Sequence, residues 1–159
     1  EEHDTVEVSH TFLMVNSDHL IESNLMHGVV YKSVYDYMYD PSIILFFKKP
    51  RELNDEKANV LIEEAKSHLG QSYDLSIYSY FIEKLLLGKL LGRITDNKKP
   101  YLFDTPTQFI CSELVSVCLN KVSEYAKLFP LSEYHPSKIN PQQLFHSPIF
   151  QEWDYHYGD

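Results

Sequence analysis

The order in which the apolar residues change their spacing constrains this chain more than any other feature. Its first third carries four runs, "HTFLMVN", "HLIES", "VVYKSVYDY" and "SIILFFKK", rich in β-branched and aromatic residues. They are separated by the turn formers "NSDH", "HG" and "DPS", and the short gaps predict an antiparallel meander. Past residue 54 the spacing becomes helical. Asn54 or Asp55 supplies an N-cap, Ala58, Leu61, Ile62, Ala65 and Leu69 share one face, and Gly70 ends the helix. A second helical segment is predicted from Leu75 to Leu91, followed by a polar loop, "RITDNKKPYLFDTPTQ". A third helix begins near Cys111 and carries Leu114, Val115, Cys118 and Val122 on one face. Four prolines in "LFPLSEYHPSKINPQQLFHSPIF" forbid a long helix there, although "PQQLFHS" can form one short turn of helix. Strands first and helices afterwards predict an α+β fold, an antiparallel sheet packed against helices.

A chain of 159 residues fits one domain, 1–159, able to bury a core without metal or disulfide staples. Lys and Arg number 14 against 23 Asp and Glu, a formal charge of -9, which argues against nucleic acid as a partner. The longest apolar segment, "YFIEKLLLGKLLGRI", is interrupted by Glu83, Lys84, Lys89 and Arg93 and so does not read as a membrane span. The eight histidines are scattered and no Cys/His pairs stand at metal-binding spacing, so neither a metal site nor a cofactor is expected. The chain opens on Glu1 rather than methionine. That start leaves the compartment open, with a removed leader and an envelope or secreted setting among the options, and leaves open whether upstream residues complete a site.

Cys111 and Cys118 stand seven apart on one predicted helix, with Cα atoms about 10 Å apart, too far for a disulfide within it. Pro106 keeps "DTPTQF" out of a long helix, while "CSELVSVCLNKVSEY" suits one, so Cys111 falls at or inside the first turn. The positive end of a helix and a neighbouring imidazole are the two features that turn a thiol into a nucleophilic thiolate. Cys118, two turns deeper on the apolar face, reads as core. A free cysteine is also among the most buried residue types, so core packing is the competing reading of Cys111.

"VSHTFLMVNSDHLIES" supplies candidate partners. His10 opens an apolar strand, and Glu22 ends the next one after a turn at Asn16–Ser17–Asp18. With the turn centred near Ser17, residue 10 stands opposite about residue 24, making Glu22 a near-opposite or diagonal neighbour. A carboxylate so placed can orient an imidazole and fix its tautomer. The bland alternatives are an exposed strand-start histidine and a solvated glutamate. His3, His19 and His27 are further candidate bases, but none opens an apolar strand followed by one that ends in a carboxylate.

Taken together, "SHTFLMV", "HLIES", "ILFFKKPREL", "LGQSYD" and "FICSELV" resemble the permuted NlpC/P60 papain-like superfamily of YiiX-type cysteine hydrolases, over roughly residues 8 to 146. The resemblance implies a papain-like fold with the nucleophile at a helix N-terminus. It implies Cys111 as nucleophile, His10 as general base and then acid, Glu22 as the residue orienting His10, and a thioacyl intermediate. The Cys111 backbone N–H would be one oxyanion donor, and Tyr73 and Asp74 would shape the substrate site. The expected substrate is a peptide or an acylated molecule, cleaved at an amide or ester bond by a peptidase, amidase or lipid-acyl hydrolase. Acyl transfer would use the same residues, and a catalytically silent module of a virion or envelope assembly would need none of them.

Overall fold

A computed structural model describes residues 6–73, 108–109, 111–152 and 155–158. The fold is α+β. Three antiparallel strands, β1 (Leu13–Met14), β2 (His19–Asn24) and β3 (Gly28–Ser33), lie in that order. Asn16 makes the first turn: its Oδ1 accepts from the N–H groups of Asp18 and His19, each at 2.9 Å, the local bonding that suits asparagine to turns. The register pairs Leu13 with Ile21 and Met14 with Leu20, which centres the turn on Ser17 as the residue count predicts. Gly28 opens β3 at φ +70°, and a Cβ there would lie 2.1 Å from the Gln71 carbonyl oxygen. Only glycine meets both demands. The gap it leaves lets Val29 N–H reach Gln71 C=O at 2.7 Å.

The meander stops after three strands. "VYDY", expected within the third strand, instead forms a short helix, α1 (Tyr35–Met38). Val34, Tyr37 and Met38, at helical rather than alternating spacing, pack in one apolar cluster with Leu20, Leu45, Phe12 and Met14. The fourth strand, β4 (Leu45–Phe47), leaves the meander and pairs antiparallel with the last strand, β7 (Tyr155–Tyr157).

Helix α2 (Asp55–Ser67) is capped by Asn54, whose side chain accepts from Lys57 N–H. Asp55 and Glu56 occupy its first turn and Lys66 its last, matching the helix dipole at both ends. Gly70, at φ +85°, follows its end. The chain then forms β5 (Ser72–Tyr73), which pairs in parallel with β6 (Gln108–Phe109) just before α3 (Cys111–Asn120). The predicted 75–91 helix and most of the loop after it lie outside the described residues.

Helix α3 is the centre of the fold. One apolar face was expected, but burial extends around most of it, with Ser112, Glu113 and Ser116 buried beside Leu114, Val115, Cys118 and Leu119. The serines are accommodated because Ser112 Oγ donates to Ile139 C=O and Ser116 Oγ to Ser112 C=O, so no hydroxyl loses its hydrogen bond on burial. Leu114, Cys118 and Leu119 pack with Ile21, Leu61, Ala65, Ile139 and Ile149 in the main core. A short helix α4 (Ser123–Ala126), a 3-10 turn (Pro136–Lys138) and α5 (Pro141–Phe145) complete this layer. Asn140 and Gln143 form a reciprocal capping box at α5, which explains why a proline-rich stretch still supports one turn of helix. Among the described residues no helix is long and apolar enough to cross a membrane.

Candidate functional site

The site begins with alternation along β2. Leu20 packs in the smaller apolar cluster and Ile21 in the main core, so the two occupy opposite faces, and Glu22 falls on the face of Leu20. Its carboxylate is fully buried. The chain ahead of β1 brings His10 over that carboxylate, with Nε2 2.7 Å from Glu22 Oε2. The same oxygen accepts from the Tyr37 hydroxyl. Lys32 Nζ stands 4.0 Å from Oε1 and 4.0 Å from the centroid of the Tyr37 ring. One buried carboxylate is thus held by an imidazole, a phenol and a nearby ammonium.

Cys111 is the first residue of α3 and only 7% exposed, whereas the His10 side chain is 35% exposed. The His10 imidazole and the backbone N–H groups of Thr11 and Ser112 act on the thiol and lower it. The fold thus brings Cys111, at the start of α3, to His10 and Glu22, which lie either side of the first turn.

The electrostatics follow from those contacts. Burial pushes the Cys111 thiol up, but the hydrogen bond and positive charge of His10 and the two backbone N–H groups bring it below its ordinary 9.0. Burial likewise pulls His10 down. Its hydrogen bonds to Cys111 and Glu22, with their negative charges, outweigh that effect and lift it from 6.5 to about 9. Burial raises Glu22, yet the hydrogen bonds from His10 and Tyr37 and the charges of His10 and Lys32 hold it below 4.5. Tyr37 is pushed well above 10 by burial and by the carboxylate it serves, so it remains a donor. The two shifts are in the directions that favour a thiolate–imidazolium pair, and the two titrations belong to the pair. Cys118 shows the contrast: fully buried among apolar side chains, it is pushed up to about 12.

The other expected residues are more dispersed. Tyr73 belongs to β5 and pairs with Phe109, two residues before Cys111, so its backbone lies close to the site. Asp74 and His3 lie outside the described residues. His19 stacks on Tyr31 with centroids 4.9 Å apart, and His27 is exposed at the β2–β3 turn; neither joins the cluster.

Tyr37 is hidden in the sequence because "VVYKSVYDY" reads as one strand, whereas Lys32 does lie on β3, diagonal to Glu22, which pairs with Val30. The Val34, Tyr37, Met38 spacing was the available signal for a helix that turns the phenol back toward Glu22. Among the described residues no group of three or more His, Cys, Asp or Glu side chains is placed to hold a metal ion. The chain matches no family model, no curated protein and no solved structure.

Proposed function

We propose that this chain is a cysteine hydrolase with a papain-like fold of the permuted NlpC/P60 kind, cleaving an amide or ester bond. The observation that supports this most is the cluster of Cys111, His10 and Glu22, with His10 Nε2 2.7 Å from Glu22 Oε2, the thiol depressed and the imidazole raised. A structural cysteine in a core behaves as Cys118 does, with its thiol raised.

In this reading the Cys111 thiolate attacks the carbonyl carbon, a C–S bond forms, and the carbonyl oxygen takes the negative charge. The Cys111 backbone N–H, at the helix start, donates to that oxyanion. Collapse expels the amine or alcohol, which leaves with the proton of the His10 imidazolium. Neutral His10 then takes a proton from water as the water attacks the thioester. The second collapse releases the carboxylic acid and restores the thiolate, with His10 again protonated. Glu22 keeps His10 in position throughout, and Tyr37 keeps Glu22 in position.

The test is the pH dependence of iodoacetamide alkylation, read by mass spectrometry with Cys118 as internal reference. Cys111 is expected to label rapidly below pH 8, and at least tenfold more slowly in His10→Ala at pH 7. Cys111 labelling no faster than Cys118 in the folded protein would remove the basis for a catalytic role.

A further inference from the structure

His10 stands on a stretch of chain that belongs to no helix or strand. Residues 6–12 are irregular, and β1 begins at Leu13. Downstream of His10, pairing of Leu13 with Ile21 and of Met14 with Leu20 fixes the backbone. Upstream, a side chain takes the place of a neighbouring strand. Gln142 Oε1 accepts from Val8 N–H at 2.9 Å, and Gln142 Nε2 donates to Val6 C=O at 2.7 Å. In an extended chain, the C=O of one residue and the N–H of the residue two further on point to the same side. One primary amide bridging both therefore holds residues 6–8 extended, as a facing peptide group would.

The orientation of that amide is set by its partners. A backbone N–H can only donate and a C=O can only accept, so Oε1 faces Val8 and Nε2 faces Val6. The other Nε2 hydrogen has His146 Nε2 at 2.8 Å as its acceptor when that ring nitrogen is unprotonated. Gln142 is itself held firmly. It is the second residue of α5, directly after Pro141 and inside the Asn140–Gln143 capping box, and Leu144 and Phe145 are buried beneath it. Proline at the first helical position and a capping box both fix the first turn of a helix.

From this geometry we infer that Gln142 is a positioning residue for His10. Its amide ties the segment ahead of His10 to α5, and His10 follows Val8 by two residues, about 7 Å of extended chain. With one end of the segment fixed by Gln142 and the other by β1, the imidazole is delivered onto Glu22, with Nε2 2.7 Å from Oε2. A segment fixed at both ends has already lost the backbone freedom that would otherwise oppose that contact. The catalytic meaning of this placement rests on the reading of Cys111 as nucleophile; the placement itself does not. Without the amide, neutral His10 leaves the site more readily than the imidazolium, because the imidazolium is drawn more strongly to the Glu22 carboxylate. The titration midpoint of His10 therefore falls when Gln142 is removed.

The experiment is the NMR pH titration of the His10 ring in the unaltered chain, in Gln142→Ala and in Gln143→Ala. Gln143→Ala removes the acceptor 2.9 Å from Asn140 N–H, and so weakens α5 while leaving the bonds to residues 6 and 8 in place. Gln142→Ala is expected to lower the His10 midpoint by about one unit, a roughly tenfold weaker hold on the neutral ring, whereas Gln143→Ala leaves it unchanged. The inference is overturned if Gln142→Ala does not move the midpoint, or if both variants lower it equally, which would assign the effect to the stability of α5. A second measurement needs no substitution: in the unaltered chain the Val8 amide should exchange about tenfold more slowly than in an unstructured peptide, and exchange at the free-peptide rate would equally overturn the inference. Cys111 alkylation decides the catalytic reading separately. An inert Cys111 beside a His10 midpoint that responds to Gln142 removes the nucleophile and keeps the positioning role.

Discussion

Glu22→Gln isolates the charge of the buried carboxylate from its shape. The glutamine retains an oxygen for His10 and Tyr37 but removes the negative charge 2.7 Å from His10 Nε2. Two unit charges with centres about 4 Å apart attract by about 4 kcal/mol at an effective dielectric of about 20. His10 is 35% exposed, so solvent and salt remove about half of that. The remaining ~2 kcal/mol corresponds to about 1.5 pKa units on His10, bringing it from about 9 to roughly 7.5. A less stable imidazolium supports the thiolate less, so the Cys111 titration should rise and its alkylation profile should move to higher pH. The assay is the iodoacetamide rate of Cys111 from pH 4 to 10 in wild type and E22Q, with circular dichroism as the folding control. An E22Q profile superimposable on wild type would show that the Glu22 charge does not reach sulfur through His10. The same variant has a stability signature. Glu22 is held below 4.5, so its stabilising contribution is present above that value and lost as pH falls through the folded one. E22Q should lack that component of acid destabilisation.

Tyr37→Phe removes one donor from a fully buried carboxylate oxygen. It should cost about 1–3 kcal/mol, seen as a fall of several degrees in Tm; an unchanged Tm would mean that the phenol is not needed to hold Glu22. Gly28→Ala combines a left-handed φ with a Cβ 2.1 Å from Gln71 O, so the urea midpoint should drop by more than the ~1 kcal/mol of an ordinary glycine replacement. A midpoint within error of wild type would contradict the close approach of the β2–β3 turn to residue 71. Asn54→Ala removes the α2 cap and should cost about 1 kcal/mol, whereas Asn54→Ser should recover most of it; equal losses in both would place the effect elsewhere.

Much of this architecture was readable locally. Asn16, Gly28, Asn54 and Gly70 each mark a turn or helix end through their own backbone preferences, and the predicted elements around them form within a few residues. The amphipathic face of α2 was readable at Leu61 and Ala65, which are buried, but not at Leu69, which falls beyond the helix end at Ser67 and is exposed. Misreadings arose where tertiary contacts outweighed local pattern. "VYDY" has strand-forming composition, yet it turns into a helix that packs Val34, Tyr37 and Met38 in the cluster containing Leu20 and Phe12. β4 reads as the next strand of a meander, but its partner is the chain's last strand, and no spacing rule encodes so distant a pairing.

The candidate site divides along the same line. Residue types and order alone determined that Cys111 begins a helix and that His10 and Glu22 flank a tight turn, because helix starts and hairpin registers are set by neighbouring residues. Only the tertiary structure decided that these three groups meet, that Tyr37 and Lys32 join them, and that the Cys111 thiol is lowered while that of Cys118 is raised. Both cysteines are buried on one helix. Their difference comes from surroundings supplied by distant parts of the chain, and the charge state of a thiol is set by those surroundings.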